Sequence, residues 1–100
     1  MQKRYLIIPL WQSILMESGD KFSVTKMTKH LDSSKYIVYN TVKELFLRGL
    51  LYRHPEGGRS VFYSVTVIGE GMRTSLINVY KDFGIVKERP SGGNRRWSIK

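Results

Sequence analysis

The stretch that decides the fold runs from residue 24 to residue 49 and reads VTKMTKHL (24–31), DSS (32–34), KYIVYNTVKELFLR (35–48) and Gly49. In its first part Val24, Met27 and Leu31 recur at helical spacing, and they predict a short helix over residues 25–31. The polar residues 32–34 predict a turn, and Ser34 belongs to a residue type that often caps the start of a helix. The stretch therefore predicts two helices joined by a tight polar turn.

The second of these helices is predicted over residues 35–48, because its apolar residues also recur at a helical period. Gly49 stands where a helix commonly ends, since glycine adopts the left-handed backbone angles of a C-terminal stop at little cost. The residues expected to face the core share one side of this helix: Ile37, Thr41, Val42 and Leu45, flanked by Val38 and Phe46.

The regions on either side of this stretch predict a hairpin and a further helix. Residues 50–54 and 61–67 alternate like two strands, and the segment PEGGRS (55–60) between them predicts a β-hairpin turn. Upstream, Leu10, Ile14 and Leu15 share one face of a predicted helix over residues 9–17, with Trp11 beside that face. Pro9 suits a first helical turn, where no backbone N–H donor is needed.

The N-terminal residues have some features of a signal peptide, because Lys3 and Arg4 precede an apolar run over residues 5–11. That run is broken by Pro9 and then by Gln12 and Ser13, and no small-residue cleavage site follows it. It is also too short to span a bilayer. We interpret the run as the lead-in to the first helix and predict no membrane segment.

The C-terminal third predicts a fourth helix and a second hairpin. A stripe of apolar residues marks a helix over residues 70–83, namely Met72, Leu76, Val79, Tyr80 and Phe83. Residues 84–100 then repeat the hairpin signal, since setting Gly84 under Gly49 also aligns Pro90 with Pro55. Either an internal duplication or the convergence of hairpins on proline and glycine explains this likeness.

Charge and composition indicate the kind of partner. The chain has 100 residues, with 17 Lys and Arg against 8 Asp and Glu, a formal net charge of +9. This excess favours a polyanion, nucleic acid more than a membrane surface, although a basic protein that is merely soluble would share it. No cysteine is present, which excludes disulfides and thiolate metal sites and fits a reducing, cytoplasmic compartment. His30 and His54 have no metal-ligand spacing, so we predict no metal, cofactor or enzymatic activity.

The ordered set of segments resembles the winged helix-turn-helix families, especially MarR-like, PadR-like and archaeal or viral transcription regulators. The resemblance is carried by VTKMTKHL (24–31), by Ser33 and Ser34, and by GLL (49–51) with the hairpin after it, whose end YSVTVIG (63–69) leads into the next helix. It implies an α+β fold, in which three helices and a β-hairpin wing form a core over residues 9–67 of a single domain (1–100). A fourth helix and a C-terminal β-hairpin (68–100) follow, and in related regulators such a helix often builds a dimer.

The candidate DNA-binding residues follow from the interpretation of the sequence as a winged helix. If the apolar face of the helix over residues 35–48 is buried, the outward residues are Lys35, Tyr36, Tyr39, Asn40 and Lys43. Asparagine pairs with adenine through two hydrogen bonds, and lysine binds phosphate or guanine. Ser33 and Ser34 lie at the helix start, where hydroxyls and amides suit a phosphate oxygen. Each of these side chains has a structural alternative, since tyrosines often pack and lysines are often only solvated.

The hairpins supply further candidates. In the wing, Arg53 and Arg59 flank the glycines of the turn, and an arginine at a wing tip suits the negative potential of a narrow minor groove. The second hairpin carries Lys87, Arg89, Arg95 and Arg96, which predict either a second DNA-contacting arm or a strand pair exchanged between subunits.

The sequence thus predicts sequence-specific binding of double-stranded DNA, with the helix over residues 35–48 in the major groove and the wing (54–60) on the backbone or the minor groove. A transcription regulator that forms a homodimer, and therefore binds a roughly palindromic site, is the favoured interpretation. No pocket for a small-molecule ligand is evident from the sequence. The alternatives are a protein that coats RNA or DNA without sequence preference, and a winged helix that binds a protein partner.

Overall fold

A computed structural model describes residues 5–55, 61–87 and 96–99 of the chain. It contains four helices and six short strands, which form a helical core flanked by two small sheets. In chain order the elements are β1 (Tyr5–Ile7), α1 (Leu10–Met16), β2 (Phe22–Ser23), α2 (Val24–Leu31), α3 (Lys35–Leu47), β3 (Leu51–His54), β4 (Phe62–Val65), α4 (Val67–Asp82), β5 (Ile85–Lys87) and β6 (Arg96–Ile99).

The helix-turn-helix forms as the sequence predicts. Ser23 caps α2, where its Oγ accepts a hydrogen bond from the Lys26 backbone N–H at 3.1 Å, and Ser34 caps α3 by accepting from the Ile37 N–H at 3.5 Å. Each cap satisfies a backbone donor that the first turn of a helix leaves without an intrahelical partner. Between the helices Asp32 adopts a left-handed backbone conformation (φ 49°), which makes the turn tight.

One apolar core holds these helices together. Its fully buried side chains come from α1, α2, α3 and the start of the wing, and they include Ile14, Leu15, Leu31, Val38, Val42 and Leu51. Burial of such aliphatic side chains contributes about 1.5–3 kcal/mol each before the entropy cost of folding. The predicted inward face of α1 is confirmed, since Leu10, Ile14 and Leu15 are all buried.

The inward face of α3 differs from the sequence prediction. The buried residues are Val38, Val42 and Leu45, whereas Ile37 leaves 52% of its surface exposed and Thr41 is half-buried. Apolar residues surround this helix on nearly every side, so the periodicity alone placed the face one position too early. The prediction that Ile37 is buried is therefore wrong.

The wing is a three-stranded antiparallel sheet with the order β2-β4-β3. β3 pairs with β4 so that Leu51 lies opposite Val65 and His54 opposite Phe62, and the short strand β2 pairs Phe22 with Tyr63. The rings of Phe22 and Tyr63 stack with their centroids 6.0 Å apart. This aromatic pair fastens the wing to the segment that enters α2, so that α2, α3 and the wing keep a fixed arrangement.

Helix α4 begins at Val67, earlier than the predicted residue 70, because Thr66 caps it. The Thr66 Oγ1 accepts from the Gly69 N–H at 3.0 Å and donates to the Gly49 carbonyl at 2.7 Å. A Cβ atom at Gly69 would lie 2.0 Å from the Leu50 carbonyl oxygen, so only glycine allows α4 to approach the backbone here this closely. The start of α4 is thus fixed by the turn between α3 and β3.

Two polar side chains hold α4 against α1. The Arg73 Nε donates to the Met16 carbonyl at 3.2 Å, at the C-terminal end of α1, where a positive charge is favourable. The Tyr80 hydroxyl donates to the Gln12 Oε1, and burial raises the pKa of that hydroxyl above its ordinary value. Of the predicted apolar stripe, Leu76 and Tyr80 are half-buried on this side, while Met72, Val79 and Phe83 remain exposed.

A second sheet joins the two ends of the described chain, with the strand order β1-β6-β5. The predicted second hairpin is present as β5 and β6, in which Ile85 lies opposite Ile99. The N-terminal run leads into α1, and it also holds a strand that was not predicted, since β1 pairs with β6 through Tyr5 opposite Ser98. In the part of the chain that the structure describes, no helix is long and apolar enough to cross a membrane.

Candidate nucleic-acid interface

The face of α3 opposite the core carries a row of exposed side chains. With 3.6 residues per helical turn, Tyr36, Asn40, Lys43 and Leu47 lie on one side of α3, directly away from Val38 and Val42. Tyr36 is 75% exposed and Leu47 65% exposed, and Asn40 and Lys43 are also exposed. We call these four residues the α3 outer row. Three of them were predicted from the sequence, and Leu47 was missed because an apolar residue at a helix end is ordinarily assigned to the core.

The other predicted α3 residues flank this row. Lys35 is exposed in the first turn, and Tyr39 is about half exposed on the side of α3 that faces the wing. No hydrogen bond or ion pair joins the side chains of Lys35, Tyr36, Tyr39, Asn40 or Lys43 to another residue of the described chain. Their donors and acceptors are therefore available to a ligand.

The two serines before α3 already have structural roles. The Ser34 Oγ accepts the capping hydrogen bond from Ile37, which leaves its own O–H free to donate. The Ser33 Oγ donates to the Leu31 carbonyl at a long 3.4 Å. Ser34 is exposed and Ser33 is half-buried, so Ser34 is better suited than Ser33 to donate to a phosphate oxygen.

The wing contributes Arg53 to the same side of the molecule. Arg53 lies on β3 opposite Tyr63, and it is exposed at the wall of a groove that runs between α3 and the wing. The predicted residues Arg59, Arg89 and Arg95 lie outside the described residues. Lys87 and Arg96 belong to β5 and β6, of which only the backbone is described.

The groove between α3 and the wing, which we call the α3–wing groove, has a volume of about 760 Å³. Polar side chains from four elements line it, namely Ser23 on β2, Thr25 on α2, Tyr39 and Lys43 on α3, and Arg53 on β3. Its apolar lining is formed by Val24, Phe46, Leu47, Val61 and Tyr63. None of the described residues that line it is acidic, so Lys43 and Arg53 face this groove with no described carboxylate beside them.

Sequence reasoning missed the contribution of α2. Thr25, Lys26 and Lys29 are exposed on this helix, but of these only Thr25 lines the α3–wing groove, while both lysines line a separate groove with Glu17 and Asp20. The sequence shows that these residues are polar, but it does not show which of them lies beside α3. That depends on the angle between the two helices, which a hydrophobic pattern does not give.

The rest of the described part of the chain holds an ion pair and a second groove. No group of three or more His, Cys, Asp or Glu side chains that could hold a metal ion occurs there. His30 contacts Glu17 at 2.9 Å across α2 and α1. A second groove of about 690 Å³ is lined by residues of α1, α3 and α4, including Trp11, Glu44 and Met72. The sequence could not indicate this groove because its walls come from separate helices.

The chain has a winged helix-turn-helix fold, and comparison with solved structures finds other proteins with a similar fold. The adhesin competence repressor AdcR of Streptococcus pyogenes matches with a TM-score of 0.69 and 18% identity, over 76% of this chain and 59% of that one. ZitR of Lactococcus lactis in complex with DNA matches with a TM-score of 0.61 and 19% identity, over 75% and 58% of the two chains. MepR of Staphylococcus aureus, a transcription regulator of a multidrug efflux pump, matches with a TM-score of 0.61 and 16% identity, over 73% and 54%.

This chain therefore spans less than two thirds of the length of these similar structures. No protein-family model matches it, and a search of curated proteins also found no match.

Proposed function

We propose that this protein binds double-stranded DNA at specific sequences and regulates transcription, with α3 in the major groove and the wing on the backbone or the minor groove. The observation that carries the proposal is the α3 outer row, which presents Tyr36, Asn40 and Lys43 to solvent from a helix whose opposite face is buried. The similarity of the fold to DNA-binding regulators, one of them in complex with DNA, supports it.

The chemistry of the outer row fits base recognition. The major groove is about 12 Å wide, which admits a helix with its side chains. Asn40 would read adenine through its amide, Lys43 would donate to guanine or to a phosphate, and the Tyr36 ring would contact a thymine methyl group. The net charge of +9 would add a sequence-independent attraction to the phosphates. The proposed activity is binding, and no reaction is assigned to the chain.

The test is selection of bound duplexes from a random DNA pool, followed by salt-titrated binding of the selected duplex. We expect Asn40→Ala to lose about 1–3 kcal/mol of preference at one base position, because a bidentate contact disappears. Arg53→Ala and Arg59→Ala should each weaken binding to all sequences similarly and reduce the dependence on salt. Asn78→Ala is the matched control, since Asn78 is exposed on α4, away from the α3 outer row.

The outcomes separate the proposal from its alternative. A recovered motif whose preference is lost in Asn40→Ala and retained in Asn78→Ala supports base recognition by α3. If no motif is recovered and single strands or RNA bind as tightly as duplexes, the protein coats nucleic acid and the regulator proposal is wrong. As a regulator, the protein would act where the DNA is, in the cytoplasm or on a nucleoid.

We further propose that the DNA-binding form is a homodimer built by the segment 68–100. On α4 and its C-cap, Ile68, Met72, Val79 and Phe83 recur at the spacing of a helix–helix seam, and all four are exposed, Ile68 to 68% and Phe83 to 71%. An apolar row of this length is costly in water unless a partner covers it. A second copy of α4 is the partner that offers the same spacing in return.

Sedimentation equilibrium tests the dimer. Val79→Glu should shift the protein toward monomer, because the carboxylate would be buried in the seam, whereas Asn78→Glu on another side of α4 should leave the association unchanged. A wild-type protein that remains a monomer at concentrations well above those at which it binds DNA would contradict this proposal. The selected DNA motif would then have no two-fold symmetry.

A further inference from the structure

The α3–wing groove has two chemically different linings. Thr25, Tyr39, Lys43 and Arg53 supply hydroxyl, ammonium and guanidinium donors, and none of these four side chains has a hydrogen bond or ion pair with another described residue. Ser23 adds a further hydroxyl, whose Oγ already accepts the capping bond from the Lys26 N–H. Among the residues that the structure describes, no carboxylate lines the groove. Cations without a counterion around a groove free of acids are complementary to an anion, and a phosphate group also accepts hydrogen bonds from hydroxyls.

Apolar side chains line as much of the groove as the polar side chains do. Val24, Phe46, Leu47 and Val61 are partly exposed there, with the buried ring of Tyr63 among them. Their side chains offer no hydrogen-bond partner, except for the single hydroxyl of Tyr63. An isolated phosphate would use only the donors and would leave this surface in contact with water.

The backbone of a nucleic acid strand alternates in the same way as the groove. Each phosphate is followed by a sugar, whose ring presents carbon atoms between the charged groups. The groove is also continuous with the α3 outer row, since Lys43 and Leu47 belong to both. A strand whose bases face α3 would therefore bring its own backbone into the groove beside the helix.

We infer that the α3–wing groove holds the sugar–phosphate backbone of one DNA strand and selects deoxyribose over ribose. The inference rests on the proposed function. Lys43, Arg53, Thr25 and Tyr39 bind the phosphates, and Val24, Phe46 and Val61 pack against the sugar. A ribose at this place would bring a 2′-hydroxyl against apolar side chains, where it loses its hydrogen bonds to water and finds no replacement. The 2′-hydroxyl is the group by which a protein distinguishes RNA from DNA.

The experiment replaces single deoxyribonucleotides by ribonucleotides, one position at a time along both strands of the selected duplex. We expect binding to weaken about tenfold, equivalent to about 1.4 kcal/mol, at one or two neighbouring positions on one strand for each bound subunit. At the remaining positions the affinity should stay within about twofold of the unsubstituted duplex.

Two isosteric variants test whether the groove causes the effect. Val61→Thr places a hydroxyl in the lining that can pair with a 2′-hydroxyl, and it should reduce the tenfold loss to about threefold or less. Val67→Thr is the matched control, because Val67 is exposed on α4 and does not line the groove. In this control the tenfold loss should remain.

Each outcome bears on a different proposal. A uniform response along the duplex, or a local loss that Val61→Thr leaves at tenfold, overturns the inference about the sugar while sequence-specific DNA binding stands. A local loss relieved by Val61→Thr and retained in Val67→Thr supports it. Failure to select any duplex removes the proposed function and this inference together.

Discussion

Replacing Gly69 by alanine tests the contact that fixes the start of α4. The new Cβ would lie 2.0 Å from the Leu50 carbonyl oxygen, so the two atoms have to separate by roughly 1.4 Å to reach ordinary van der Waals contact. That oxygen also accepts a hydrogen bond from the Thr66 N–H at 3.1 Å, which would weaken as α4 moves. Gly71 is the matched control, because a Cβ there meets nothing within 4 Å.

The size of the effect follows from comparing the two variants. Alanine favours an α-helix over glycine by about 1 kcal/mol at either position, so this contribution cancels between them. Overpacking costs about 1–3 kcal/mol, and a weakened hydrogen bond adds about 1 kcal/mol. We therefore expect Gly71→Ala to stabilise the fold by up to about 1 kcal/mol and Gly69→Ala to lie about 2–4 kcal/mol below it.

Urea unfolding followed by circular dichroism measures this difference, and thermal unfolding should show melting temperatures that differ by roughly 10 °C or more. Both variants should keep the helix content of the wild type at low temperature. Equal stability of the two variants would refute the reasoning, since it would mean that α4 does not approach the Leu50 backbone this closely.

Three further predictions concern single polar contacts. Thr66→Val removes the cap of α4 and the bond to the preceding turn, so the free energy of unfolding should fall by about 1–2 kcal/mol in urea, and an unchanged value would contradict the capping role. Arg73→Met should cost about 1.5 kcal/mol because it removes the bond to the Met16 carbonyl, whereas Arg48→Met at an exposed ion pair should cost less than about 0.5 kcal/mol. The raised pKa of Tyr80 means that its stabilising contribution is complete below pH 10.0, its ordinary pKa, and is lost as the pH rises through the folded-state value. The stability advantage of the wild type over Tyr80→Phe should therefore shrink above pH 10.0, and a constant difference would show that folding does not raise the pKa of this hydroxyl.

The sequence predicts the fold where local signals agree. Local signals of this kind are the caps Ser34 and Gly49 and the alternation of the wing strands, each of which depends on only a few neighbouring residues. The elements that they mark form near their predicted bounds. The start of α4 was placed too late because the cap at Thr66 depends on a bond to Gly49, which lies far away in the sequence. Strand β1 was missed for the same reason, since its partner β6 is at the opposite end of the chain.

The candidate site was predicted where its residues are polar. Lys35, Asn40 and Lys43 are exposed as expected, because charged and amide side chains rarely face a core. Ile37 was assigned wrongly to the core, and Leu47 was passed over. On a helix that is apolar nearly all round, an apolar residue does not indicate whether it faces the core or solvent. The α3–wing groove could not be predicted at all, because its walls meet only after α2, α3 and the wing have packed.

The pairing of β1 with β6 also bears on the order of folding. Tyr5 lies opposite Ser98, so this contact closes a loop of almost the entire chain, which carries the largest entropy cost of any pairing in the fold. The helices and the wing can form from contacts between segments much closer in sequence. On a ribosome that adds about 5–20 residues per second, β1 would emerge seconds before its partner and wait with an unpaired edge. The terminal sheet is therefore expected to assemble last, after the rest of the protein has folded.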